Sequence, residues 1–378
     1  MIPKCYRQKS FPPVNSLWMY EDVVEFYQDL SFNINAPNFI ERKMVKLNLV
    51  NITFTPPESA EVVTPPFIML AGQEAQVFVI EFDEGSNGTR NSISAADFIG
   101  VDNGPGKRTG IQSFIDNDVV SVMAVPGVTD PNVLLNLMSH CENLASRFAV
   151  LDIPRDEKKV DDVINYKNMF ESHYAAVYHP WLVVFDPLDK RNIAIPPSGS
   201  VMGIYTRSDN TQGVHKAPAN EPIRACVGLD CLYNKGEQDI LNPKGVNLIR
   251  IFPGQGIRVW GARTCSSNSL WKYINVRRLF IFLEESIKAN TNWVVFEPND
   301  EILWVRVKRT IDVFLNNVWR SGALAGGSPA EAFYVDVGRS TMSQDDIDNG
   351  RLICVIGVAP VKPTEFVTFK IIQKTASE

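Results

Sequence analysis

The sequence has few of the residues on which metal binding and covalent catalysis most often depend. It contains four histidines and six cysteines among 378 residues. Cys226 and Cys231 are the closest cysteine pair, but no second pair or histidine doublet accompanies them, as a zinc site requires. On one strand, His173 and His179 would lie about 20 Å apart, too far to share an ion. We therefore expect no metal ion, no cofactor and reduced cysteine thiols.

Long apolar runs and an excess of positive charge are also absent. No stretch of about 18 apolar residues predicts a membrane-spanning helix, and residues 1–7 lack the apolar core of a signal peptide. The net charge is −6, so no overall basic surface favours nucleic acid or anionic lipid. Neither membrane insertion nor direct nucleic-acid binding is expected.

The sequence pattern changes twice, which predicts three regions. Residues 1–90 are irregular and strand-rich, with several proline pairs. Residues 91–265 alternate short apolar runs with amphipathic segments, which is typical of an α/β domain. Residues 266–378 combine two amphipathic helices with strands, which predicts an α+β domain.

The middle region predicts a mostly parallel sheet covered on both faces, because its apolar runs are continuous and separated by helices. The predicted strands are 119–125, 148–153 and 181–185. The predicted helices are 131–144, 160–170 and a third from Val201 onward. Asp130 is a favourable N-cap for the first helix, whose first position is proline.

The C-terminal region favours an assembly subunit over an enzyme. The predicted helices are 276–287, 304–318 and a short capped helix at 343–349. The predicted strands are 293–296, 352–358 and 366–372. The last strand has nothing after it to pair with, and an unpaired strand edge tends to join chains.

Ser198 and Ser200 lie in a turn before a helix and suggest a serine hydrolase as the enzymatic alternative. His215 is the candidate base, and Asp152 or Asp186 the candidate acid that orients it. No Gly-x-Ser-x-Gly elbow surrounds either serine, and such turns usually cap a helix. A shell or binding protein of fixed shape, which does not contract, is a further alternative.

Two groups of charges are candidate contact sites. Asp345, Asp346 and Asp348 lie on the short capped helix, where they stabilise its N-terminal dipole or meet a partner surface. Arg306, Lys308 and Arg309 lie among the apolar positions of the long helix. They form either a solvated face or a surface for ion pairs between subunits.

Many short motifs, in order, resemble the contractile tail sheath family of phages, phage-like bacteriocins and extracellular injection systems. In the middle region they are PPSG at 196–199, VHKAPAN at 214–220, NP at 242–243, FPGQG at 252–256 and WGART at 260–264. Further on they are YINVRRL at 273–279, WVVFEPND at 293–300, WRSGAL at 319–324, DNGRLIC at 348–354 and GVAPVKP at 357–363.

The resemblance implies a structural protein without catalysis. It implies six-membered rings of this chain, stacked as a helical cylinder around an inner tube protein, with baseplate and terminator proteins as further partners. Contraction would drive the tube through a target envelope. The chain would be made in the bacterial cytoplasm and would form the tail sheath of a virion or of a phage-like injection device.

In this family, arms at both termini add strands to a small sheet on neighbouring subunits, a form of β-augmentation. The resemblance places the C-terminal arm at Phe366, Val367, Thr368, Phe369, Lys370, Ile371 and Ile372. It places the C-terminal domain against the tube and makes Asp345, Asp346 and Asp348 candidate tube contacts. Residues 1–30 resemble no sheath opening, which predicts a divergent or missing N-terminal arm. If the arm is missing, the purified chain should be mainly monomeric.

Overall fold

The computed structural model describes residues 93–365; the predicted N-terminal region 1–90 and the predicted arm 366–372 lie outside the described residues. In chain order, the described strands are β1 (Val122–Met123), β2 (Phe148–Asp152), β3 (Ala175–His179), β4 (Leu182–Asp186), β5 (Arg191–Ile195), β6 (Glu221–Pro222), β7 (Cys226–Leu229), β8 (Val246–Phe252), β9 (Gly256–Val259), β10 (Phe333–Val337) and β11 (Cys354–Val358). The described α-helices are α1 (Ala95–Ile99), α2 (Pro131–Leu144), α3 (Val160–Lys167), α4 (Ser198–Gln212), α5 (Lys235–Leu241), α6 (Ile274–Thr291), α7 (Glu301–Arg320), α8 (Pro329–Ala332) and α9 (Gln344–Asp348). Short 3₁₀ helices span Gly110–Asp116, Asn242–Lys244 and Asn292–Val294. No helix within 93–365 is long and apolar enough to cross a bilayer.

A six-stranded sheet in the order β1-β2-β3-β8-β9-β6 organises the middle region. The first four strands run parallel, whereas β9 pairs antiparallel with both β8 and β6. Every residue of β2 and β3 is buried, as expected for parallel strands covered on both faces. The predicted mostly parallel α/β fold is confirmed.

The helix α2 begins and ends where its sequence dictates. The Asp130 carboxylate accepts the N–H of Asn132 at 2.8 Å, and Pro131 occupies the first turn, where no N–H is needed. The helix ends at Ala145 in the left-handed conformation. Its apolar face lies in the main core, and its buried apolar residues are Val133, Leu134, Leu137, Met138 and Cys141.

Two predictions about middle-region strands are wrong. The run 119–125 forms a strand only at β1, and Val119 is 91% exposed. The run 181–185 does form β4, but β4 belongs to a separate antiparallel sheet in the order β5-β4-β7. The third parallel strand is β3, which ends at His179. Sequence analysis considered this segment only when it asked whether His173 and His179 could share a metal ion. Apolar content alone does not specify which sheet a short strand joins.

A second core lies in the C-terminal region. The long helices α6 and α7 pack together, and α7 packs against β10 of the two-stranded antiparallel sheet β10–β11. The residues of α7 that enter this core repeat at helical spacing and are Leu303, Trp304, Val307, Ile311, Leu315 and Val318. Gly322 follows α7 with φ 84°, a conformation that ends helices and favours glycine.

Sequence analysis also misjudged two short segments here. Residues 293–296 form a 3₁₀ turn rather than a strand, and Phe296 is 102% exposed with φ 70°. The strand β10 was missed, although it pairs with β11 along its whole length. The predicted helix from Val201 begins at Ser198 instead, and the strand predicted from 352 begins at Cys354.

The helix α6 contributes to both cores. Ile274 and Ile281 pack in the main core, whereas Leu279 and Leu283 pack in the second. One continuous helix therefore connects the middle region to the C-terminal region without an intervening linker.

Asn247 in β8 fixes the segment that leads toward α6. Its amide nitrogen donates to the carbonyls of Val177 at 3.1 Å and Arg263 at 2.7 Å. Its amide oxygen accepts the Arg263 N–H at 2.7 Å. A Cβ on Gly261 would lie 2.8 Å from the Asn247 Cα, so only glycine allows this close approach of two backbones.

We expect Gly261→Ala to lower the free energy of unfolding by about 1–3 kcal/mol, because backbone atoms must move to accommodate the methyl group. Chemical denaturation would measure the loss. The control is Gly203→Ala inside α4, where the new Cβ meets nothing within 4 Å and helix propensity favours alanine by roughly 0.5–1 kcal/mol. Equal effects of the two substitutions would contradict this account of Gly261.

Candidate assembly interface

The two-stranded sheet β10–β11 presents one face to the second core and one to solvent. Val335 on β10 is buried against α7. On the opposite face, Tyr334 is 59% exposed and Val355 is 41% exposed. An isolated pair of strands has marginal stability, so packing against α7 is what stabilises this small sheet.

The edge of β10 that faces away from β11 is not paired with another strand in the described residues. The Ala359 N–H donates to the Ala332 carbonyl, and antiparallel alternation then turns the Val335 carbonyl away from β11. That carbonyl accepts a hydrogen bond from the Lys308 ammonium. A groove of about 370 Å³ lies beside this edge, lined by α7 residues such as Asp312 and by Phe333.

The outward face of α7 carries large aliphatic residues. Ile302, Val305 and Val313 are more than half exposed. Their positions follow helical spacing, so they form one stripe along the helix. Arg309 lies on the same face between Val305 and Val313, so the stripe combines exposed apolar residues with a cation, as contact surfaces between proteins often do.

The three predicted contact cations of α7 have three different environments. Lys308 is bound to the edge of β10. Arg306 lies 4.5 Å from the Trp293 ring centroid and 3.6 Å from the Glu297 carboxylate. Arg309 is exposed and has no hydrogen bond or ion pair to any residue within 93–365. Among the three, Arg309 alone has no described partner, so the prediction of an ion pair between subunits rests mainly on this residue.

The carboxylates of the acidic helix α9 form ion pairs and hydrogen bonds with neighbouring residues of the same chain. Asp345 and Asp346 both pair with Arg351, at 2.7 and 2.9 Å. The Ser343 hydroxyl donates to Asp346 at 2.6 Å, and this hydrogen bond holds the pKa of Asp346 below its ordinary value. Asp348 accepts from the Gln344 amide at 2.8 Å. A role for these carboxylates at an inner tube stays a prediction.

Two buried arginines at the start of α6 join the two cores. Arg277 donates to the Tyr174 hydroxyl at 2.5 Å and stacks over Trp271 at 3.9 Å. Arg278 forms two hydrogen bonds with Asp209 of α4, at 3.0 and 2.5 Å. Sequence analysis saw these arginines only as part of a motif and did not find their partners.

A second charge cluster lies at Glu365, the last described residue. Its carboxylate accepts from Arg263 at 2.6 and 2.8 Å, from Asn242 at 2.8 Å and from the Tyr273 hydroxyl at 3.1 Å. Lys272 lies 3.7 Å away. Burial raises the pKa of Glu365, but the hydrogen bonds from Arg263 and Asn242 outweigh it and keep that pKa below its ordinary value. Glu365 therefore binds as a carboxylate at neutral pH.

The described fold has relatives among phage tail proteins. Models of the phage tail sheath central domain and C-terminal domain match residues 106–265 and 266–374. The PVC sheath complex of an extracellular contractile injection system, solved in the contracted state, is 33% identical with a TM-score of 0.63, covering 70% of this chain and 75% of that one. The chain belongs to the phage tail sheath family.

Two phage sheath proteins are more distant relatives. The tail sheath protein of Vibrio phage KVP40 is 27% identical over 203 residues, and that of Escherichia phage P2 is 25% identical over 245 residues. These matches cover 53% and 61% of this chain, and 29% and 61% of the respective relatives. The chain thus spans less than two thirds of either phage protein.

Of the candidate hydrolase residues of this sheath-family chain, Ser198 and Asp152 form a buried structural contact, whereas Ser200 is half-buried in the first turn of α4. The Ser198 hydroxyl donates directly to Asp152 at 2.7 Å, and the Ser198 and Gly127 N–H groups donate to the same carboxylate at 2.9 and 3.1 Å. Ser198 is fully buried, and burial raises the pKa of Asp152. Among the described residues, His215 is not a hydrogen-bond partner of either group. This arrangement fixes the start of α4 and gives a substrate no access to the hydroxyl.

The other candidate polar residues also have local partners. Asp186 accepts the Leu188 N–H in its own turn. His179 is buried against the Tyr233 hydroxyl at 3.0 Å, and His173 stacks on Trp271. Within 93–365, no group of three or more His, Cys, Asp or Glu residues is placed to hold a metal ion.

We expect Lys308→Met to lower the free energy of unfolding by about 1–2 kcal/mol, because the Val335 carbonyl loses its charged donor. The matched control, Arg309→Met, removes a cation one position away with no described partner and should change stability by less than about 0.5 kcal/mol. Urea denaturation of the two variants compares the losses. Equal losses would show that Lys308 does not cap the β10 edge.

Proposed function

We propose that this chain is the structural subunit of a contractile tail sheath. The observation that carries the proposal is the fold and sequence similarity to a sheath complex solved in its contracted state. Six subunits would form each ring, and rings would stack as a helical cylinder around an inner tube protein. Baseplate and terminator proteins would bind the two ends of the cylinder.

The open edge of β10 supports strand exchange as the means of linking subunits. Residues 366–372 are aromatic or β-branched except for Lys370, a composition that favours a strand. Added to the β10–β11 sheet of a neighbour, this strand would gain backbone hydrogen bonds, while alternate side chains would set the register. The groove beside β10 provides space for it, and Asp312 in that groove would attract Lys370.

In this proposal, Lys308 protects the edge before assembly. Natural proteins commonly place lysine at exposed strand edges to prevent unwanted pairing. Here the ammonium occupies the Val335 carbonyl that an incoming N–H would need. The neighbour's strand would displace it.

The free energy that drives contraction would come from the difference in stability between two packings of the same subunits. A metastable extended cylinder converts to the contracted one when a signal from the baseplate lowers the barrier, so no nucleotide or other cofactor is needed. Arg309 would form ion pairs between subunits. The exposed carboxylates of α9 remain our candidates for contact with the tube.

Deleting residues 367–378 should leave a folded subunit that cannot form cylinders, because the exchanged strand is gone. The matched control deletes only 374–378 and retains the predicted strand. Each variant would be produced together with a tube protein and baseplate proteins of a contractile particle. Negative-stain microscopy would score cylinders, and circular dichroism would confirm folding.

The full chain and the shorter deletion should both give cylinders of two lengths. Normal cylinders from the longer deletion would refute the arm assignment. Absence of cylinders from the full chain under the same conditions would refute the sheath function itself.

A further inference from the structure

We propose that Glu365 is a clamp that transmits tension from the C-terminal arm into the central sheet. The inference rests on the proposed function, because it assumes that residues 366–372 link subunits. Glu365 is the residue directly before that segment, so no spacer separates the clamp from the predicted arm. Any pull on the arm would reach this carboxylate first.

The backbone alone holds the segment before Glu365 only as far as Val361. Pro360 forms a bridge with Leu324, and the Val361 N–H donates to the Ala323 carbonyl at 3.3 Å. No backbone–backbone hydrogen bond within the described range involves residues 362–365. The side chain of Glu365 is therefore what fixes the end of this segment.

The contacts of the Glu365 carboxylate are strong and directional. The Arg263 guanidinium donates hydrogen bonds to both carboxylate oxygens of Glu365. Such two-point charge-assisted contacts are stronger and more directional than single hydrogen bonds. The side chains of Arg263 and Glu365 are only 10% and 16% exposed, so water screens the pair weakly. Asn242 and Tyr273 occupy further acceptor positions of the same carboxylate.

A continuous path of hydrogen bonds connects the clamp to the main sheet. The backbone of Arg263 is held on both its N–H and its carbonyl by the Asn247 side chain. Asn247 belongs to β8 and also donates to Val177 of β3. Tension on the arm would thus pass from Glu365 through Arg263 and Asn247 to two neighbouring parallel strands.

Two residues of the WGART motif at 260–264 belong to this path of hydrogen bonds and close contacts. Gly261 allows the close approach to Asn247, and Arg263 holds Glu365. These residues would serve the connection between subunits although they lie inside the middle region.

The first experiment isolates the clamp in the purified subunit. Glu365→Gln keeps the shape of the side chain but removes the charge. The control, Asp230→Asn, removes the charge of a carboxylate that is 13% exposed and pairs with Arg155 at 2.8 Å and Lys158 at 2.9 Å. Val361 carries the last hydrogen-bonded backbone N–H of the described segment, so its hydrogen exchange should quicken about tenfold or more in Glu365→Gln, since a charge-assisted contact is lost, and should stay within about twofold of the parent in Asp230→Asn.

Unchanged exchange at Val361 in Glu365→Gln would overturn the clamp without affecting the sheath assignment. Acceleration of the same size in both variants would also overturn it, because the effect would then be general loosening.

The second experiment tests the mechanical role in particles made with the tube and baseplate proteins. Cylinders of Glu365→Gln should assemble but lose subunits or break when contraction is triggered, whereas cylinders of Asp230→Asn should contract intact. Equal integrity of the two after contraction would refute tension transfer through Glu365. If the parent chain forms no cylinders, the sheath function fails, while the exchange result still decides whether the clamp exists.

Discussion

The described structure depends on the pairing of two buried cations at the start of one helix. Helix α6 belongs to both cores, and burial of its apolar residues alone would permit several orientations, because the hydrophobic effect has no direction. A buried guanidinium is costly unless its charge and its N–H groups are compensated. Arg278 is compensated by two hydrogen bonds to the Asp209 carboxylate, and Arg277 in part by the Tyr174 hydroxyl and the Trp271 ring, its Nε having no partner among the described residues. These directional contacts select one orientation of the C-terminal core relative to the main sheet.

The same residues show what sequence can and cannot predict. Helices with strong periodicity and local caps, such as α2 and α7, were found to within a few residues because their signals lie inside the helix. The partners of Arg277 and Arg278 are 103 and 69 residues away in sequence, and spacing gives no information at that range. Likewise, Asp152 and Ser198 suggested catalysis by their types, but only their mutual contact and burial identify a structural role. The family motifs compensated for this limit, since they carry the outcome of tertiary contacts that no local pattern reveals.

The small sheet β10–β11 was the least predictable part of the candidate interface. Its strand β10 has only five residues. A run this short predicts a strand little better than the four apolar residues 293–296, which form a turn. What distinguishes the two is tertiary: β10 has a partner strand and a covering helix, whereas Phe296 has neither contact. The cap formed by Lys308 follows from the same packing, because α7 must lie against β10 before its lysine can reach the Val335 carbonyl.

If the chain acts as proposed, its contacts divide by strength. Strand pairing and the Glu365 clamp are directional and rich in hydrogen bonds, so breaking them during contraction would add a large barrier. The exposed stripe of α7 offers aliphatic side chains and Arg309, which has no partner within 93–365, and individual contacts of such groups are weak and readily exchanged. A metastable cylinder needs both kinds of contact. The strong ones keep subunits connected through the change, and the free-energy difference between the two packings must then reside in surfaces such as the α7 stripe.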